Sequence, residues 1–308
     1  MNKILKKATL VLMMIAVFAM GLISCGNSNM NSSKNESSVY PLTLTDSYGG
    51  EVRLDKAPER IISIAPNMTE LVYKLGAGDN LVGRTKYCDY PEEALNVESI
   101  GTLKTPDIEK IISLEPDLVL ASTHFSEENA QKLENAGIKV LSLYEENNVD
   151  GVYTMIDTLG KALNKQSEAD KTIEEMKSTI NEVTEKVSKL EAPTVYYVVG
   201  FGDGGNYTAP ENTFVGQLIK LAGGNNIVPA SDSWSYSLEA LIEADPEIIV
   251  VGEGLKESFK SAPTYNNLTA VKNDKVYEID NNLLDRQGYR NAEGVKKLAE
   301  IFHPEAFK

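Results

Sequence analysis

Residues 105–120 read TPDIEKIISLEPDLVL, and residues 235–250 read SYSLEALIEADPEIIV. In each copy a Ser or Thr caps a short helix, apolar residues recur at helical spacing, an acidic-Pro-acidic turn follows, and a β-branched strand begins. The copies stand 130 residues apart, so the phrase predicts two related halves. Each half carries a glutamate at the same place in its helix, Glu109 and Glu239.

A second pair of segments supports this duplication. Residues 75–83 read LGAGDNLVG, and residues 221–229 read LAGGNNIVP. Each follows a strand-like run, residues 60–65 in one half and 194–199 in the other, then a loop and an amphipathic helix. The alternative is that unrelated α/β sequences resemble one another. Duplication explains the pattern better, because two phrases recur in the same order.

The first residues are typical of a lipoprotein signal peptide. In residues 1–25, lysines precede an apolar run, and small residues then precede Cys25. We predict that Cys25 is diacylated, becomes the mature amino terminus and attaches an extracytoplasmic protein to the cell membrane. A transmembrane anchor is the alternative. Residues 26–39 are rich in Asn and Ser and predict a flexible tether.

The periodicity divides the remainder of the chain into three parts. Residues 40–147 predict an amino-terminal α/β lobe with a leading hairpin, and residues 193–308 predict a carboxy-terminal α/β lobe. Between them, residues 148–192 predict a helical spine of two consecutive helices, the second one long. A coiled coil is the alternative, but the segment holds few heptads. We therefore predict an α/β fold of two Rossmann-like lobes with mostly parallel sheets, joined by one long rigid helix.

Composition argues against several classes of function. The formal net charge of −15 disfavours nucleic acid, which is bound by basic patches. Apart from Cys25 the only cysteine is Cys88, and the only histidines are His124 and His303, so no metal-ligand cluster, disulfide or catalytic triad is indicated. Residues 200–205 match the dinucleotide fingerprint G-x-G-x-x-G, but no helix follows them directly, and we interpret them as a loop. We predict no catalytic residue, no metal and no cofactor.

Loops that we expect to face one another between the lobes carry aromatic and charged side chains. Aromatic rings suit a large, partly apolar ligand, and an arginine suits a phosphate or carboxylate. Packing or surface salt bridges are the alternative for each residue alone, above all for Arg290. The predicted ligand-binding residues are Tyr87, Asp89, Tyr90, Phe201, Tyr207, Trp234 and Arg286.

Four features occur together in this chain: the lipidation site, the sequence PERIISIAPNMTEL at 58–71, the sequence YCDYP at 87–91, and the doubled phrase. Their combination resembles the cobalamin and ferric-siderophore substrate-binding proteins of ABC importers. The resemblance implies a monomeric receptor that holds a metal-chelate ligand between its lobes and delivers it to a permease. It also implies that Glu109 and Glu239 dock on arginines of that permease, and that the Tyr87 loop, the Trp234 loop and Arg286 touch the ligand.

The sequence YCDYP of the Tyr87 loop resembles the cobalamin branch of that family, and this resemblance implies a corrinoid ligand. Ferric siderophore and haem are alternatives, because Leu103 stands where a cobalamin binder can show an aromatic residue and no tryptophan occurs at 122–124. A rival from another class is an extracellular enzyme that uses Asp89 or Asp203 for acid-base chemistry. A third hypothesis is a lipid-anchored scaffold, which predicts a protein partner and no tightly bound small ligand.

Overall fold

The computed structural model describes residues 39–144, 147–202 and 204–308. The predicted signal peptide, Cys25, nearly all of the tether and Asp203 lie outside the described residues. Within those ranges, no helix combines the length and the apolar character needed to cross a bilayer.

The amino-terminal half begins with an antiparallel hairpin and continues as an α/β unit. The predicted hairpin is present, with Leu42 opposite Leu54 and Thr45 opposite Glu51. The strands and helices of this half are β1 (Leu42–Thr45), β2 (Glu51–Leu54), β3 (Ile61–Ser63), α1 (Pro66–Lys74), β4 (Leu81–Arg84), α2 (Ile108–Ser113), β5 (Leu118–Ala121), α3 (Glu127–Asn135) and β6 (Lys139–Ser142).

Two helices lead into the carboxy-terminal half, which repeats the α/β pattern. The connecting helices are α4 (Val149–Ala162) and α5 (Gln166–Val187). The elements that follow are β7 (Thr194–Tyr197), α6 (Phe214–Leu221), β8 (Asn225–Asn226), α7 (Leu238–Ala244), β9 (Ile248–Gly252), α8 (Lys256–Ser261), α9 (Thr269–Lys272), β10 (Val276–Ile279), α10 (Asn282–Asp285) and α11 (Asn291–Phe302).

The two parallel sheets have the same topology. The strand order is β4-β3-β5-β6 in the amino-terminal lobe and β8-β7-β9-β10 in the carboxy-terminal lobe. Counted within each lobe, both orders are 2-1-3-4, and all of these neighbours pair in parallel. In both lobes the chain therefore reverses direction across the sheet between the first and third strands, and loops beyond that point form a crevice.

Both faces of each sheet are buried, which explains the continuous apolar runs of the strands. Ile61 packs into a large core that also contains spine residues Val152 and Met176, whereas its neighbour Ile62 packs into a separate cluster on the opposite face. In β7 the same alternation sends Val195 to the shared core and Tyr196 to the cluster on the other face. The shared core thus fixes both lobes against the spine.

The spine is a pair of closely packed helices. Asn164, with φ 55°, lies in the break that the polar residues predict between α4 and α5. Gly160 permits the close approach of the two helices, since a Cβ there would stand 2.4 Å from the Cβ of Ala169. Helix α5 also packs on α6 and α11 and pairs with α1 through Lys74 and Glu175 at 3.0 Å. It therefore contacts both lobes along its length.

In the repeated phrase, the helix cap differs from the prediction in one copy. Asp107, not Thr105, caps α2 by accepting a hydrogen bond from the Lys110 N–H, whereas Ser237 caps α7 as expected. The caps are nevertheless at matching positions, since both stand two residues before the glutamate. Asp and Ser are both strong caps, because a short side-chain oxygen reaches the free N–H of the first turn.

The acidic-Pro-acidic turn has the same structure in both lobes. The first acidic residue adopts a left-handed conformation, with φ 48° at Glu115 and 36° at Asp245. The second binds the backbone at the start of the lobe's first strand: Asp117 accepts from the Arg60 N–H at 3.0 Å, and Glu247 accepts from the Thr194 N–H at 2.8 Å. These carboxylates are structural.

The second predicted echo is out of register by one residue. Gly76 and Gly223 are the equivalent positions, because each follows a helix and takes φ values of 73° and 81° that favour glycine. The matching segments 75–83 and 221–229 instead place Gly76 opposite Ala222. A short 3-10 turn at Gly78–Asn80 precedes β4 in the amino-terminal lobe, and this turn accounts for the different spacing to the next strand.

Candidate functional site

A small cavity lies between the two lobes, at the carboxyl ends of β3 and β5. Its volume is about 220 Å³. Asn67, Leu103 and Ser122 line it from the amino-terminal lobe, and Arg286 and Gln287 line it from the carboxy-terminal lobe. This is the crevice at which open α/β sheets bind ligands, since loops rather than strands meet there.

A buried carboxylate, Glu70 of α1, joins the lobes behind this cavity. Arg290 donates to it through Nε at 2.8 Å and Nη2 at 2.7 Å, and Arg286 donates through Nη1 at 2.9 Å. The Glu70 side chain is only 4% exposed, and those of Arg286 and Arg290 are 14% and 10% exposed. Charge-assisted hydrogen bonds of this kind compensate for the cost of burying the charges.

Arg286 reaches past Glu70 to a second, more exposed carboxylate. Its Nη1 also donates to Asp89 at 2.8 Å, and the Asp89 side chain is 56% exposed. Partial burial works against the charged form of Asp89, but the hydrogen bond and charge of Arg286 outweigh it and hold the pKa of Asp89 below its usual range. Burial likewise opposes the charge of Arg286, yet its two carboxylate partners raise its pKa.

The loop that carries Asp89 also supplies aromatic side chains at the rim. The Arg290 guanidinium lies over the ring of Tyr90, with its central carbon 4.3 Å from the ring centroid, a cation–π contact. Tyr87 is 58% exposed, and its carbonyl oxygen accepts from Arg286 at 3.4 Å. Four of the predicted ligand-binding residues therefore meet at one place: Tyr87, Asp89, Tyr90 and Arg286.

The other three predicted residues belong to the carboxy-terminal lobe. Tyr207 pairs with Ser235 in a short β-bridge, and the Thr208 N–H donates to the carbonyl of Trp234 at 2.9 Å, so Tyr207 and Trp234 share one loop cluster. Both rings are about half exposed. Phe201 differs, because its ring packs edge-on against two aromatic rings of this lobe's own core, those of Phe259 and Tyr265.

The predicted docking glutamates occupy matching exposed positions. Glu109 is in the first turn of α2, and Glu239 is in the first turn of α7. Both side chains are exposed. Asp107 serves as a cap, and the acids on either side of each proline form the turn. Outside the cap and the turn, Glu109 and Glu239 are the acids that stand at the same position in both copies, since Glu243 of the second copy corresponds to Ser113 in the first.

Sequence reasoning missed Glu70, Asn67 and Gln287. Asn67 is 7% exposed, and its Nδ2 donates to the Gln287 carbonyl oxygen at 3.2 Å, which adds a polar contact between the lobes. A signal was available for Glu70, since it stands among the fully buried Met68 and Leu71 on a short helix. A charge on such a face requires a buried partner.

Metal binding has no support in the described ranges, where no group of three or more His, Cys, Asp or Glu side chains is placed to hold an ion. Cys88 is a free, fully buried cysteine. Burial raises the pKa of its thiol, and the nearby Thr85 hydroxyl, 3.2 Å from Sγ, only partly offsets this. Cys88 therefore acts as a small core residue.

Comparison with known proteins identifies this arrangement. The sequence model of the family described as "Periplasmic binding protein" matches residues 61–283. The chain belongs to this family. It is 33% identical over 315 residues to an uncharacterized ABC transporter substrate-binding lipoprotein, YvrC, of Bacillus subtilis, in an alignment that covers 99% of this chain and 100% of the relative.

Two further comparisons concern proteins whose names state a ligand. A cobalamin-binding protein of Halobacterium salinarum is 28% identical over 314 residues, covering 96% of this chain and 84% of that protein. The crystal structure of the periplasmic vitamin B12 binding protein BtuF of Vibrio cholerae superimposes with a TM-score of 0.70 at 25% identity, covering 82% of this chain and 98% of that one.

These findings confirm the predicted fold and the predicted class of protein. This periplasmic binding protein is an extracytoplasmic substrate-binding component of an ABC importer and not an enzyme. The hypothesis of an extracellular enzyme that uses Asp89 or Asp203 is therefore wrong, because the family consists of binding proteins. Asp89 has a different use in the structure, since it forms an ion pair with Arg286.

Proposed function

We propose that this protein captures a corrinoid between its lobes and delivers it to an importer in the membrane. The observation that carries the proposal is the interlobe cavity, which is lined by both lobes and bordered by Arg286 and exposed aromatic rings. Flat rings give contact area to a large macrocycle, and the guanidinium matches a phosphate group. Relatives named for cobalamin and vitamin B12 support the same ligand class.

A corrinoid is larger than the cavity, so binding must open it. Ligand sites of this kind measure about 300–1,000 Å³, compared with the 220 Å³ found here. Of the ion pairs that join the lobes at this cavity, the one between Arg286 and Asp89 is the most accessible to a ligand from solvent, because the Asp89 side chain is 56% exposed. The ligand then takes the place of Asp89 on Arg286, while Glu70 and Arg290 keep the lobes joined.

Ferric citrate is the second candidate ligand. The cavity wall carries Leu103, Ser122 and Thr123 rather than aromatic rings, and its small volume suits a compact, oxygen-rich chelate. Arg286 would neutralise a citrate carboxylate. A Fe(3+)-citrate-binding protein of Bacillus subtilis is 25% identical over 92% of this chain.

A fluorescence titration tests the ligand. Trp234 is the only tryptophan in the chain, so its emission reports on the carboxy-terminal loop cluster. The full-length protein in detergent is titrated with cyanocobalamin, cobinamide, haem, ferric citrate and ferric siderophores. We expect saturable quenching by both corrinoids. Calorimetry with Trp234→Phe is the control, since binding heat must persist when the fluorophore is gone. Tight ferric citrate binding without corrinoid binding would favour the second candidate.

We further propose that Glu109 and Glu239 dock on basic side chains of the permease. Their exposure and their equivalent positions in the duplicated lobes support this, because one partner then meets the same group twice. Glu109→Lys with Glu239→Lys should abolish cyanocobalamin uptake and leave its affinity unchanged. The matched control reverses two other exposed glutamates, one in each lobe, Glu134 and Glu257. Equal uptake by both double variants would contradict docking.

Attachment through Cys25 and a monomeric state complete the proposal. A lipidated Cys25 places the receptor beside the importer and raises its local concentration. Mass spectrometry of the amino-terminal peptide of the native protein should find acyl chains on Cys25, and Cys25→Ser should lose them. Light scattering of residues 39–308 checks the monomeric state, and an unmodified Cys25 in the native protein would contradict the lipid anchor.

A further inference from the structure

Each of the two proposed docking helices exposes an isoleucine one turn after its glutamate. Ile112 of α2 is 39% exposed and Ile242 of α7 is 52% exposed. They stand three residues after Glu109 and Glu239, a spacing that puts both side chains on the same helix face. The residues before them, Ile111 and Leu241, are fully buried, so the helices already supply an apolar side chain to the core.

A single exposed isoleucine would not indicate a binding site, because folded proteins expose many apolar atoms. The two here differ from the others in position. Across residues 39–144, 147–202 and 204–308, every other large apolar or aromatic side chain of comparable exposure lies in a loop or in a short 3-10 turn. Ile112 and Ile242 alone in those ranges lie within α-helices, and they occupy the same register in the duplicated phrase.

An acidic side chain stands three residues before each isoleucine and another stands three residues after it. Lys110 is next to Glu109 in sequence, but it forms an ion pair with Glu98 and so its charge is compensated. On α7 the neighbour of Ile242 is another acid, Glu243. Each helix therefore presents an isoleucine in acidic surroundings, and its complement is an apolar surface in basic surroundings.

We propose that Glu109 with Ile112, and Glu239 with Ile242, form two matching docking patches for the extracytoplasmic face of the importer's permease. This inference rests on the proposed docking function, and it adds an apolar contact to the ionic contact proposed for each glutamate. Each patch fits a basic side chain beside an apolar socket, so the partner presents the same socket twice. Burying the isoleucine excludes water from the neighbouring ion pair, which strengthens that pair.

Photochemical cross-linking in intact membranes tests the patches directly. The photoreactive residue p-benzoylphenylalanine replaces Ile112 or Ile242 in the full-length lipoprotein, and mass spectrometry identifies the products. Leu190 and Leu255, which are 44% and 38% exposed outside the patches, are the control positions. We expect both patch positions, and neither control, to cross-link to the membrane-spanning subunit of an ABC importer. No such product, a product from one patch only, products at the control positions, or a second copy of this chain as the product overturns the inference.

Substitution separates the isoleucines from the glutamates. With the photoreactive residue moved to the exposed Ser113, Ile112→Ser with Ile242→Ser should lower the yield of importer product by about tenfold for each isoleucine buried. Ile112→Val with Ile242→Val should restore most of it. Cyanocobalamin affinity and the thermal midpoint should stay unchanged, which excludes misfolding. An unchanged yield overturns the role of the isoleucines. If Glu109→Lys with Glu239→Lys leaves the yield of importer product unchanged while the serine variants lower it, the isoleucines contact the permease and the proposed docking by the glutamates is wrong.

Discussion

The two lobes share a topology but differ in what they present to the cleft. Both have the 2-1-3-4 strand order and the same left-handed acidic turn after the repeated helix. At the cleft, the amino-terminal lobe supplies acids, Glu70 and Asp89, and the carboxy-terminal lobe supplies bases, Arg286 and Arg290. Duplication is thus retained in the fold and at the proposed docking helices, and is lost at the cleft, where oppositely charged side chains pair the two lobes.

Removal of Glu70, the buried acid that pairs with both arginines of the opposite lobe, should destabilise the protein more than the other substitutions below. Glu70→Ala leaves Arg290 and Arg286 buried without their shared carboxylate, and removing one partner of such a network costs about 3–5 kcal/mol. Urea unfolding with and without cyanocobalamin measures the loss. The matched control is Glu293→Ala, which breaks only the exposed pair with Lys297 on α11. A loss no greater than that of the control would show that Glu70 does not hold the lobes together.

A smaller effect concerns the feature that both lobes share. Asp117→Ala and Glu247→Ala each remove a carboxylate that accepts backbone N–H groups at the start of a lobe's first strand. We expect each to lower the free energy of unfolding by about 1–2 kcal/mol, with ligand affinity unchanged. Denaturant midpoints measure the stability, and fluorescence titration measures the affinity. A marked effect of only one substitution would mean that the two turns are not equivalent.

The left-handed residues of the two turns, Glu115 and Asp245, should respond differently to replacement by glycine. Glycine at position 115 relieves the left-handed strain, so Glu115→Gly should raise stability by less than about 1 kcal/mol. Asp245→Gly relieves the same strain but loses hydrogen bonds from the Thr269 N–H at 2.8 Å and hydroxyl at 2.6 Å. We expect it to destabilise the protein by about 1 kcal/mol. The same sign of change for both in thermal melts would refute this distinction.

The weakest effect should be a pH dependence of the ion pair between Asp89 and Arg286, which helps to hold the two lobes together. Its pKa is lowered in the folded protein, so its contribution is present above its ordinary value of about 4 and is lost as the pH falls through the lowered value. Ligand-free closure, followed by small-angle scattering, should therefore be constant from pH 7 to about 5 and should weaken in stronger acid. Asp89→Asn should remove this acid-dependent step. A transition near neutral pH would point to another group.

Much of the architecture followed from local pattern. Apolar runs, helical spacing and punctuation predicted both lobes, the hairpin and the helical connection, because these depend on residues close in sequence. The predicted cap at Thr105 was wrong by two residues, because Asp107 is the cap. The predicted match of Gly76 with Ala222 was wrong by one residue, because Gly223 is the equivalent position. Several residues supply similar caps or turns, and only the folded backbone shows which one is used.

The candidate site was predicted less completely. Tyr87, Asp89, Tyr90 and Arg286 come together as a group, whereas Phe201 packs into the core of its own lobe. Exposure, which distinguishes a ring at a rim from a ring in a core, depends on the neighbours that the fold supplies. The role of each residue in ligand binding stays a prediction.

Two related α/β lobes, an extended helical connection and a pair of equivalent glutamates can all be inferred from the amino-acid sequence alone. These conclusions rest on repetition and on short-range periodicity, which can be recognised without any information on tertiary contacts. The pairing of Glu70 with Arg286 and Arg290, which lie 216 and 220 residues away, is visible only in the folded protein. A buried charge requires a counter-charge close to it in space, and the separation of the two residues in sequence does not limit that choice.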